Sequence, residues 1–132
     1  MLQQWAQRPG IRWLGPSDDM PSVYARADAV VLPSYREGMP RSLLEAAAMG
    51  LPAVATDVPG CREVVTHGVD GLLVPPKDAA ALAAAIARLH DNPHLRTRLA
   101  RAARAKALAH FDERIVIDRT LDVYRELLPH FA

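Results

Sequence analysis

Glu37 and Glu45 are the residues whose type and spacing point most directly to chemistry. They stand eight positions apart within Pro33-Ser34-Tyr35-Arg36-Glu37-Gly38-Met39-Pro40-Arg41-Ser42-Leu43-Leu44-Glu45-Ala46. The apolar run Ala29-Val30-Val31-Leu32 precedes them and reads as a buried parallel strand. Pro40 follows at the first turn of a helix, where its missing N–H costs nothing. A strand, a short glycine-containing loop and a helix N-terminus make an anion site, because unpaired backbone N–H groups converge there. Carboxylates repel phosphate, so neither glutamate is suited to hold one. Both are suited to accept hydrogen bonds from hydroxyls, as on a sugar or a ribose. An anionic centre flanked by hydroxyl groups describes a nucleotide-sugar.

These residues need a scaffold, and the chain supplies one by alternation. Residues 11–14 are a strand candidate ended by Gly15-Pro16, with Trp13 expected in the core. Asp18 or Asp19 caps a short helix with Val23, Tyr24 and Ala27 on one side. After the strand at 29–32 comes a helix over 40–49, closed by Gly50. Residues 52–56 form the next strand. Gly60-Cys61-Arg62-Glu63 opens a brief helix, with Glu63 placed for a capping box. Two glycine turns, His67-Gly68 and Asp70-Gly71, lead into the strand Leu72-Leu73-Val74. Beyond it the pattern is helical. Asp78 caps a helix with Leu82, Ile86 and Leu89 on its apolar side, Asn92-Pro93 ends that helix and starts another, and Asp112 caps a last one with Ile117, Leu121, Tyr124 and Leu128 in one stripe. The expected fold class is therefore α/β: a partial Rossmann-like parallel sheet of about four strands, flanking helices, and a helical C-terminal third, all in a single domain over residues 1–132.

Bulk properties narrow the function classes. Sixteen basic residues against fifteen acidic ones leave no charge excess for a dedicated nucleic-acid binder. Cys61 is the only cysteine, so no internal disulfide forms, and with no secretory leader at Met1 the expected location is the cytoplasm. No apolar run approaches the roughly 18 residues a membrane span requires. The basic run Arg96, Arg98, Arg101, Arg104, Lys106 would allow peripheral contact with anionic lipid at the inner face of a membrane, and a solvated basic helix face explains it more simply. His67, His90, His94, His110 and His130 show no metal spacing; Asn92-Pro93 interrupts the pair four apart. Cys61 reads as a small residue in a tight turn rather than an activated thiolate.

Several motifs in order carry a family resemblance: Trp13-Leu14-Gly15, Ala27-Asp28-Ala29-Val30-Val31-Leu32-Pro33-Ser34, the two glutamates, Glu45-Ala46-Ala47-Ala48-Met49-Gly50-Leu51-Pro52, Ala55-Thr56-Asp57-Val58-Pro59-Gly60-Cys61-Arg62-Glu63-Val64-Val65, and Gly71-Leu72-Leu73-Val74-Pro75-Pro76. From about residue 11 to 124 the chain resembles the C-terminal, donor-binding half of GT-B-fold glycosyltransferases of family 4, most closely bacterial enzymes that build surface polysaccharides. The resemblance implies that Glu37 is the catalytic residue, contacting donor-sugar hydroxyls near the reacting carbon. It implies that the backbone at Gly38, Met39, Arg41, Ser42 and Leu43 faces the sugar and diphosphate. Glu45 would bind the ribose, and Leu14 or Gly15 would lie near the base. It further implies transfer with retention of configuration to a saccharide or lipid-linked acceptor, no metal or other cofactor, and a UDP-sugar as the default donor. Pro40 departs from the glycine common in the family, which removes one N–H from the loop.

The resemblance also sets expectations about what the chain lacks. It would be truncated at its N-terminus, without the first two strands, the cationic loop that neutralises the diphosphate, and the acceptor domain. The strand at 29–32 would then expose an apolar edge. Strand 11–14 moving across, a second copy forming a homodimer, or a partner chain supplying the acceptor domain would cover it. Alone, the chain is expected to be inactive. The alternatives are a non-catalytic nucleotide-binding module and an inactive remnant that folds by oligomerising.

Overall fold

The computed structural model describes residues 8–34, 38 and 40–110. Its elements are α1 (Met20–Ala25), β1 (Val30–Leu32), α2 (Arg41–Ala48), β2 (Ala53–Thr56), α3 (Pro59–Val64), β3 (Gly71–Val74), α4 (Ala79–Asp91) and α5 (Pro93–His110). The three strands are parallel in the order β1-β2-β3, with Val30 beside Ala53 and Ala53 beside Gly71. β2 is central and buried at all four positions. That explains its unbroken apolar character, since a parallel strand covered on both faces has no polar side to show.

Alternation along β2 divides the core in two. Ala53 and Ala55 join Leu43, Leu44, Ala47 and Ala48 of α2, Cys61 and Val64 of α3, and Ala103 and Ala107 of α5. Val54 points the other way, into Leu72 and Val74 of β3, Ala85 and Leu89 of α4, and Leu99 of α5. The sheet is thus a middle layer, and α5 reaches both sides of it. Cys61 is fully buried as a small packing residue within α3.

Caps fix three of the helix ends. Asp19 Oδ1 accepts from the Ser22 N–H at 3.3 Å, and Asp78 Oδ1 accepts from the Ala81 N–H at 2.9 Å. α2 closes in a Schellman motif: Gly50, at φ +71°, donates to the Ala47 carbonyl and Leu51 to that of Ala46. Pro40 sits one residue outside α2 as its N-cap, in an extended conformation.

Several expectations are corrected. The sheet has three strands among the described residues, because 11–14 is irregular chain with Ile11, Trp13 and Leu14 exposed at 40%, 61% and 56%. A strand needs a partner for its N–H and C=O groups, and no described strand lies beside this one. Trp13 is accordingly not a core residue. Glu63 closes no capping box; α3 starts at Pro59 behind Val58, which has no side-chain acceptor. Instead Arg62 turns back, its Nε 2.5 Å from Asp57 Oδ1 and its Nη2 donating to the Asp57 carbonyl. Gly71 is no turn residue but the first residue of β3, where a Cβ would come within 2.7 Å of Val65 Cγ1 and 2.8 Å of the Ala53 carbonyl oxygen. Ile86 is 41% exposed, so α4 buries Ala85 and Leu89 instead of the 82–86–89 stripe.

The basic run on α5 keeps Arg98, Arg101 and Arg104 exposed, yet most of its members donate to backbone carbonyls. Arg96 donates to the carbonyls of Leu89 and His90 at the end of α4, each at 2.8 Å. Arg98 donates to Gly68, Arg104 to Ala48 at the end of α2, and Lys106 to Val64 and Thr66. Cations at helix C-termini meet the negative end of the helix dipole and the last unpaired carbonyls. The helix expected from Asp112 lies outside the described residues. No helix among the described residues is long and apolar enough to cross a membrane.

Candidate donor-binding site

In an open α/β sheet, ligands sit outside the carboxyl ends of the strands. Here β1 runs out at Leu32 into Pro33 and Ser34, and the chain re-enters regular structure at α2. Thr56, at the end of β2, donates its hydroxyl to the Ser34 carbonyl, which ties the start of the loop to the middle strand. A cavity of about 360 Å³ opens over the same end of the sheet, lined by Pro33, Thr56, Val74, Pro75 and the start of α4.

Glu37 and Met39 lie outside the described residues. Gly38 is exposed, and a Cβ there would meet nothing within 4 Å, so its backbone is open to approach. Pro40 has no side-chain acceptor to offer, so it caps none of the first-turn N–H groups of Arg41, Ser42 and Leu43. The Leu43 side chain is 1% exposed and belongs to the core, leaving only its backbone for a ligand. Arg41 is exposed and Ser42 half-buried on the same turn.

Glu45 stands one turn further in, its side chain 25% exposed. Among the described residues two groups reach its carboxylate: Arg41 Nε lies 3.4 Å from Oε1, and Tyr24 Oη donates to Oε2 at 3.2 Å. Burial first, and the Glu45 charge second, push the Tyr24 hydroxyl up to about 12, so it keeps its proton throughout the physiological range. α1 and α2, separated by β1 in sequence, thus converge on one carboxylate. Arg41 and Glu45 are brought together as their helical spacing requires. Leu14 and Gly15 lie on irregular chain outside both core clusters, Leu14 exposed and Gly15 half-buried at φ +73°.

Tyr24 is the residue that sequence reasoning missed as part of this site. It was assigned to the apolar side of α1, where it is indeed buried at 6% exposure. The available signal was its hydroxyl, since a buried tyrosine needs a partner for it. No group of three or more His, Cys, Asp or Glu side chains among the described residues is arranged to hold a metal.

The chain is similar to several known proteins. The chain is 37% identical over 118 residues to an N,N'-diacetylbacillosaminyl-diphospho-undecaprenol alpha-1,3-N-acetylgalactosaminyltransferase of Campylobacter jejuni, covering 89% of this chain and 31% of that one. It is 40% identical over 115 residues to a glycogen synthase of Mycobacterium tuberculosis, covering 86% and 28%. Among solved structures, the Anabaena protein HepE in complex with UDP superposes with a TM-score of 0.78 at 30% identity, over 96% of this chain and 35% of that one. HepE has also been solved with UDP-glucose. The chain therefore spans about a third or less of the length of these relatives. Residues 1–92 match the family described as Glycosyl transferases group 1, and the chain belongs to that family.

Proposed function

We propose that this chain is the donor-binding part of a retaining glycosyltransferase of family 4 that uses a nucleoside diphosphate-sugar, with a UDP-sugar as the first candidate. The observation that carries the proposal is the Glu45 carboxylate, held between Tyr24 and Arg41 one turn behind a helix start that its N-cap leaves uncapped. In this assignment Glu45 accepts the ribose hydroxyls. The backbone at Gly38, Met39, Arg41, Ser42 and Leu43 faces the sugar and diphosphate, with Leu14 or Gly15 toward the base. Negative charge grows on the departing diphosphate in the transition state, and N–H donors aimed at it lower the barrier. Glu37 contacts the sugar hydroxyls beside the anomeric carbon. The bond from that carbon to the diphosphate oxygen breaks, the acceptor oxygen takes its place on the same face, and the acceptor proton leaves with the diphosphate. No metal takes part in this scheme.

The acceptor, a saccharide or a lipid-linked sugar, binds to polypeptide other than this chain, and the chain alone transfers nothing. The acceptor-binding polypeptide or a second copy of the chain lies along β1, whose outer edge pairs with no described strand and whose Val31 is 39% exposed. The work is done in the cytoplasm or at the inner face of a membrane.

The test is a titration of isotope-labelled protein with UDP and UDP-glucose, followed by two-dimensional NMR. Shifts concentrated at Gly38 and 40–45, and abolished by Glu45→Ala, are the expected result. Absence of shifts at millimolar ligand would overturn the assignment.

A further inference from the structure

A carboxylate has about four lone-pair positions, two on each oxygen. In Glu45, Tyr24 Oη occupies one on Oε2 and Arg41 Nε approaches one on Oε1. Counting the described residues, one position remains on each oxygen, which matches the two O–H donors of a cis-diol. Such a match is useful only if both oxygens keep facing the ligand. A glutamate on a helix has three rotatable side-chain bonds, and its freedom is lost on binding unless something has already fixed it.

The two protein donors differ in their ability to fix it. Arg41 has 58% of its side chain exposed and shares a helix with Glu45, so it moves with the carboxylate and is screened by water. Tyr24 is 6% exposed and comes from a different element, 21 residues away in sequence. Its backbone is held by the Asp19 cap and by Pro21, which is also buried. The phenol is thus a fixed peg outside α2.

We infer that Tyr24 is a positioning residue for ribose recognition, its buried hydroxyl orienting Glu45 so that one oxygen of the carboxylate is presented to each ribose hydroxyl. Tyr24 itself touches no ligand in this arrangement. The inference rests on the assignment of Glu45 to the ribose. The raised proton affinity of the phenol is consistent with the role, because only the protonated form donates.

The experiment compares UDP with 2′,3′-dideoxy-UDP by calorimetry for the wild type, Tyr24→Phe and Glu45→Ala. Hydrogen bonds to a charged group predict that the wild type prefers UDP by about tenfold or more. Glu45→Ala is expected to bring the two ligands together. Tyr24→Phe is expected to lose about five- to tenfold in UDP affinity while binding the dideoxy ligand as the wild type does. The dideoxy ligand also reports whether the variant is folded. A Tyr24→Phe protein with the wild-type preference overturns the Tyr24 inference and leaves the ribose assignment standing. A Glu45→Ala protein that keeps the preference overturns the assignment, and the inference with it.

A second readout needs no ligand. With ring-labelled tyrosine, the Tyr24 resonance is expected to stay protonated through about pH 11 and to titrate earlier in Glu45→Gln. A Tyr24 resonance titrating near the ordinary value of about 10, unmoved by Glu45→Gln, overturns the inference.

Discussion

Replacing Lys106 by methionine should cost this small domain a large part of its stability. Lys106 carries three N–H donors, and three acceptors surround it: Asp70 Oδ2, Thr66 Oγ1 at 2.9 Å and the Val64 carbonyl at 3.1 Å. The Asp70 side chain is only 2% exposed, and its other oxygen accepts the Thr66 N–H at 2.8 Å. Methionine keeps the apolar stem but leaves a carboxylate buried without its cation, which costs about 3–5 kcal/mol. Against a total of about 5–15 kcal/mol for a domain of this size, that is a fifth or more. At roughly 3–6 °C per kcal/mol, the melting point should fall by about 10–30 °C. Urea unfolding followed by circular dichroism measures the loss, with an unchanged m-value showing that the native fold survives. The double variant Asp70→Asn, Lys106→Met removes both charges while keeping an acceptor for Thr66, and should recover most of it. A loss below about 1 kcal/mol in Lys106→Met would refute the reasoning, because it would mean that water screens Asp70 as at a surface.

Three other outcomes follow from particular contacts. Gly71→Ala should destabilise by about 1–3 kcal/mol in the same assay, since the added methyl meets the Ala53 carbonyl, a backbone atom of the central strand that cannot swing away. Tyr24 has its folded pKa raised from 10.0 to about 12, so its contribution is fully present below pH 10 and is lost as pH rises toward 12; Tyr24→Phe should flatten that alkaline limb of the stability profile. Val31→Lys places a charge on the outer edge of the sheet and should abolish any concentration-dependent self-association seen by sedimentation velocity.

What the sequence makes legible here is whatever is written locally. The Asp19 and Asp78 caps, the Gly50 helix stop and the apolar strand runs each sit within four or five residues of what they determine. The placement of Arg41 one turn before Glu45 is equally local. Local rules still fail at the Glu63 capping box, and several other errors concern partners further away in sequence. Residues 11–14 have the composition of a strand, but pairing depends on a neighbour that composition cannot name. Gly71 reads as a turn from its Asp-Gly context, whereas its lack of a side chain serves the approach of Val65 and Ala53. The arginines of α5 do form an exposed face at Arg98, Arg101 and Arg104, and what the sequence hides is that several reach carbonyls, which have no letter in it. The Tyr24 hydroxyl bond to Glu45 spans 21 residues and is hidden in the same way.

These long-range contacts separate the holding of α2 from the aiming of Glu45. At its C-terminal end α2 is gripped by Arg104 Nη1 on the Ala48 carbonyl, together with the Gly50 motif. At the middle of the helix Tyr24 grips the one side chain assigned to the ribose. The two grips act on different quantities. Arg104 opposes the negative end of the helix and satisfies a last-turn carbonyl, so Arg104→Ala should cost about 1 kcal/mol of stability. It bonds neither Glu45 nor the first turn of α2, and the Schellman closure remains, so UDP affinity should change less than twofold. Tyr24→Phe should do the opposite, sparing the neutral-pH melting point to within a few degrees and weakening UDP. Calorimetry and thermal melts on the two variants therefore form a crossed pair. If Arg104→Ala weakened UDP as much as Tyr24→Phe did, helix α2 would be responding as one loosely held unit, and the separate role given to the tyrosine would fall.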